Sequence, residues 1–133
     1  MLYRLLADIY ESERDYESAA HTLIGIPLET GQRYLLFSIF DKNKEMKKFS
    51  NYQSEFKMRT YLRITELFLA GDNLNEAEIQ VNRASLLQNE VKDASLLVQC
   101  KELYARVLDR RGRFIEAAQR YHEVKRTHHC HMI

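Results

Sequence analysis

Four side chains close to the C-terminal end, His128, His129, Cys130 and His131, carry donor atoms that bind zinc or copper. Ligands this close together wrap one tetrahedral ion poorly, and no second Cys/His pair lies nearby, so the run reads as a frayed tail with no metal site. Arg110, Arg111 and Arg113 could bind an acidic partner, but they better suit a helix C-terminus, where cations meet the partial negative charge of the last carbonyls. Lys42, Lys44, Lys47 and Lys48 could touch phosphates or lipid head groups, with a solvated segment as the plainer reading. Tyr10, Tyr16, Tyr61, Tyr104 and Tyr121 fall on apolar faces at helical spacing. No basic groove interleaves with them, which favours core packing over base stacking. His21 and His122 each lie in the second helix of a pair and read as structural or exposed. Cys100, among Leu96, Leu97 and Leu103 with no activating base, reads as a buried thiol. There is no phosphate-cradling glycine loop, no His-Glu-x-x-His helix and no nucleophile elbow. No catalytic, cofactor-binding or metal residue is assigned, and the chain is expected not to be an enzyme.

The elements that would position these groups repeat. Tyr104–Tyr121 reads as helix, tight turn, helix, and the same design appears at Leu6–Ala20 and Ile64–Ala77. Tyr16, Leu74 and Phe114 share one position; Ala19, Ala77 and Ala117 lie three residues later, and Ile9, Leu67 and Val107 seven residues earlier. The apolar residue opening each second helix is expected to act as a knob between the helices, and the small Ala one turn on lets the backbones approach. Three such units imply a stack of helical hairpins.

Asp15, Asn73 and Asp93 are placed to cap helices, Asn73 with Glu76 in a capping-box-like pair. Gly25-Ile26-Pro27 ends the second helix, and Gly71 and Gly112 supply turns. Leu74–Gln88 is expected to form one helix and Phe114 to about Lys125 another. Leu74 and Phe114 are 40 residues apart and Tyr16 and Leu74 are 58, an excess of 18 between the first two units. Tyr34–Ser50, a short apolar burst followed by a Lys-rich run, is expected to be an inserted, mobile segment ahead of a helix over Phe56–Leu69. The apolar stripe of the first helix begins at Leu2 with no cap, the expected look of a chain that starts inside or at the edge of a longer stack.

Composition agrees. A chain of 133 residues is one domain by length, and one Pro and four Gly favour helices over a turn-rich β fold. A net charge of +1 gives no bulk pull towards nucleic acid or membrane. Two cysteines form no framework, and Met1–Arg4 does not open a signal peptide, so a reducing compartment is expected. No apolar run approaches the ~18 residues of a membrane span.

Gly112–Ala118, Gly-Arg-Phe-Ile-Glu-Ala-Ala, resembles the second-helix opening of tetratricopeptide repeats, although the 40-residue period exceeds the ~34 of that family. Longer, irregular hairpins of this kind occur in subunits of the proteasome lid, the signalosome and initiation factor three. Three blocks are more specific: Arg4–Glu13 with Gly25–Gln32, Asn82–Glu90, and Tyr104–Asp109 with Phe114–Tyr121. Together they resemble the fourth-subunit family of the COP-9 signalosome, PCI-type scaffold subunits, over nearly everything except Tyr34–Ser50 and the final residues.

That resemblance implies an all-α, right-handed superhelical stack (an α-solenoid) of tetratricopeptide-like hairpins, with no PCI winged-helix domain in the chain. The repeat region would span residues 1–126, with units at about 1–31, 55–90 and 93–126, an inserted flexible segment at 34–51 and a disordered tail at 127–133. It implies a fragment or truncated product carrying the middle repeats of a scaffold whose complex removes a ubiquitin-like modifier from cullin–RING ubiquitin ligases, the metalloprotease centre belonging to a different subunit. Expected partners are other signalosome subunits and the cullin–RING ligase, in cytoplasm and nucleus. No cofactor, small-molecule substrate, membrane or nucleic acid is expected. The alternative is a free-standing tetratricopeptide-like adaptor that binds a partner peptide. A third class, nucleic-acid binding through Lys42–Lys48, would show as salt-dependent retention lost on replacing the four lysines.

Overall fold

Apolar residues at helical spacing, with hardly any breaker, make helices the local outcome. A computed structural model describes residues 2–26 and 43–131, with side chains described for 2–26 and 53–127. Among the described residues there are helices and no strand: α1 (Leu2–Ser12), α2 (Tyr16–Ile24), α3 (Asn43–Ala70), α4 (Leu74–Leu86), α5 (Ala94–Arg110) and α6 (Phe114–His131). Consecutive helices pair as α1 with α2, α3 with α4 and α5 with α6; α2 then packs on α3, and α4 and α3 on α5. The three expected hairpins therefore stack in chain order.

One turn joins each pair, and its hydrogen bonds repeat. The residue in left-handed conformation is Arg14 (φ 62°), Asp72 (φ 62°) or Gly112 (φ 79°). The next residue donates its N–H five residues back, from Asp15 to Tyr10 O, Asn73 to Phe68 O and Arg113 to Leu108 O, each at 2.9 Å. The left-handed residue itself donates three residues back, to Glu11 O, Leu69 O and Asp109 O. This is a Schellman closure, which satisfies carbonyls that a helix end leaves open. Asp15 and Asn73 then cap the following helix, accepting from Ser18 N (3.1 Å) and Glu76 N (3.4 Å). Asp93 caps α5 through Ser95 N (3.0 Å).

The core follows the seams. Ala19, Ala77 and Ala117 are buried as their spacing predicts, and Leu23, Met58, Ile64, Phe68, Val81, Leu103 and Val107 fill the space between helices. Buried Thr65 satisfies its hydroxyl on Tyr61 O (2.8 Å), the back-bonding that lets threonine sit inside a helix. Ser54, also buried, donates to Glu90 at 2.5 Å and ties α3 to the connector before α5.

Several expectations need correction. α3 begins at Asn43 instead of near Phe56, so residues 43–51 of the expected insertion are helical. No Gly or Pro interrupts Asn43–Ala70, and its Lys, Glu and Met residues are good helix formers. Residues 34–42 lie outside the described residues. α6 continues to His131, taking residues 127–131 of the expected tail into the helix, where Thr127 Oγ1 donates to Glu123 O at 2.9 Å. α4 stops at Leu86, two residues short of Gln88. Phe114 is no knob between helices: it is 67% exposed, whereas Tyr16 and Leu74 are half-buried against the core.

Candidate functional site

The stacking brings the three turns to one edge. Glu17, the 71–75 turn, Arg110 and Arg111 line a single open depression there. The arginine cluster lies on this edge and is already engaged. Arg110 meets Asp72 at 2.6 Å, and Arg111 meets Glu78 at 3.0 Å while donating to Asn75 Oδ1 at 2.7 Å. Arg113 reaches Glu78 at 3.2 Å and Glu116 at 2.6 Å, and the Glu116 bonds hold its guanidinium still more firmly in the charged form. The pairs with Asp72, Asn75 and Glu78 clasp the third hairpin to the second, while Arg110 in the last turn of α5 and Arg111 at its C-cap stand at the helix terminus as expected. Arg63 does the same one step earlier, bridging Asp8 and Glu11 of α1 from α3. Individually such exposed pairs contribute little. Their effect is register: each unit is held against its neighbour at the turn end.

Sequence reasoning missed these clasps because each joins residues 33 to 55 positions apart. A signal was present, since Asp72 lies 38 residues before Arg110, close to the 40-residue period. Opposite charges one period apart face each other across a stack.

The other candidates separate. Cys100 is fully buried on α5, with Gln88 Nε2 3.9 Å from its sulfur, and burial pushes its thiol pKa up, away from a reactive thiolate. Tyr61 is buried, and Tyr10, Tyr16 and Tyr104 pack against the core; Tyr104 also lies 4.8 Å under the Arg120 guanidinium. Tyr121 departs from the expected core set, at 39% exposed. His21 and His122 are exposed, His21 standing edge-on to Phe68. The side chains of Lys42, Lys44, Lys47, Lys48 and of His128–His131 lie outside those described. Among the described residues no cluster of His, Cys, Asp and Glu is placed to hold a metal ion, and no helix is long and apolar enough to cross a membrane.

Two apolar faces point outwards. α1 exposes Leu2, Leu5, Leu6 and Ile9, one stripe at helical spacing; at the other end α6 exposes Phe114, Ile115 and Tyr121. Exposed apolar area of this kind is what a protein–protein contact buries.

Known proteins are similar to this sequence. COP9 signalosome complex subunit 4 of Drosophila melanogaster is 45% identical over 119 residues, 90% of this chain and 25% of that protein. The proteins of the same name from Arabidopsis thaliana and Dictyostelium discoideum are 35% and 30% identical, again over 90% of this chain and 26% of theirs. The chain thus spans about a quarter of the length of these curated relatives. A family model described as PSMD12/CSN4, N-terminal, matches residues 45–132, the stretch holding α3 to α6 and both of the later turns. The chain belongs to the PSMD12/CSN4 N-terminal family.

Proposed function

We propose that this chain is a helical-repeat segment of the fourth subunit of the COP9 signalosome and acts without catalysis, as a scaffold. It joins other subunits of that complex and supports removal of a ubiquitin-like modifier from cullin–RING ubiquitin ligases, in cytoplasm and nucleus. The observation that carries this reading is the extent of the likeness: identity to subunit 4 proteins runs through 90% of the chain. The physical character of the surface supports it. Exposed apolar stripes on α1 and α6 give partners area to bury, and the clasped turn edge keeps the hairpins in fixed relation while they do so.

Co-expression of the tagged chain with the remaining signalosome subunits tests the proposal. The expected result is co-elution with at least one subunit, weakened when Phe114 and Ile115 are both replaced by Glu. Elution of the folded chain alone would overturn the scaffold role. Retention of a single short peptide in place of any subunit would establish the adaptor instead.

A further inference from the structure

No further inference is drawn: the strongest candidate, the outward stripe of α4 on the middle hairpin that carries exposed Ile79, Arg83 and Leu86, is an unpartnered face for which nothing in the structure shows what covers it.

Discussion

At the scale of single residues, the turns show what each position must supply. All three need a left-handed residue, yet only the third has glycine; the others hold Arg14 and Asp72 at φ 62°. A side chain there is strained by roughly 1–2 kcal/mol relative to glycine, partly offset because glycine is freer in the unfolded chain. A Cβ built on Gly112 meets nothing within 4 Å, so Gly112→Ala tests backbone strain alone. It should lower stability by about 1 kcal/mol in denaturant unfolding, and Arg14→Gly should raise it by a few tenths to about 1 kcal/mol. The turn at Gly112 was legible from its residue type. The left-handed Arg14 and Asp72 were not, because nothing in those side chains announces the conformation; only alignment of the three units does. Cys100 gives a second residue-scale expectation. Its burial and raised pKa mean that iodoacetamide should reach it only as the third hairpin opens. In a Cys130→Ser background, alkylation should be slower than that of a free cysteine peptide by several orders of magnitude and should follow the unfolding equilibrium as urea is added. Rapid labelling without denaturant would contradict the packing around α5.

At the scale of elements, the caps were readable and the boundaries were not. Asp15, Asn73 and Asp93 cap helices as expected, because a side-chain oxygen before an amphipathic run has few other uses. The start of α3 was obscured by the Lys-rich composition ahead of it, although the same residues are compatible with helix. Phe114 misled for a different reason: Tyr16 at the same position packs on the core beside Gly71 of the next hairpin, a contact that no residue in the local pattern reveals. The Asp15 cap carries a pH signature. Its carboxylate accepts hydrogen bonds from Ser18, which lowers its pKa below the ordinary aspartate value. A carboxylate with a depressed folded-state pKa contributes stability above its unfolded pKa, and that contribution is lost as pH falls through the folded value. Asp15→Asn keeps an acceptor that does not ionise. The parent chain should therefore lose α2 stability on acidification below the ordinary aspartate range, while the Asn variant's contribution from this site stays flat. Parallel pH–melting curves for the two chains would remove the cap from the account.

At the scale of the whole molecule, a stack of hairpins divides stability unevenly, because each unit gains from its own packing and from its neighbours. The middle hairpin has a partner on both sides: α3 receives α2, and α4 receives α5. Among the described residues the first has only one, and α1 contributes a single fully buried residue, Ala7, with most of its large apolar side chains turned outwards. α3 and α5 instead bury Met58, Leu62, Ile64, Phe68, Leu103 and Val107. The arginine clasps do not reverse this order, since they are exposed and each contributes little. Native-state hydrogen exchange should reveal a gradient, with amides of α1 exchanging through local opening while those of α3 (residues 58–69) and α5 exchange only through global unfolding. Phe68→Ala removes the largest fully buried side chain among the described residues and should cost about 3–5 kcal/mol. That loss should appear in α3 and α5 protection together, because Phe68 belongs to the core cluster that α5 completes through Leu96, Cys100, Leu103 and Val107. α1, already open at a lower free energy, should change far less until global unfolding becomes the easier route. Equal protection across α1, α3 and α5 would mean that the three hairpins unfold as one block.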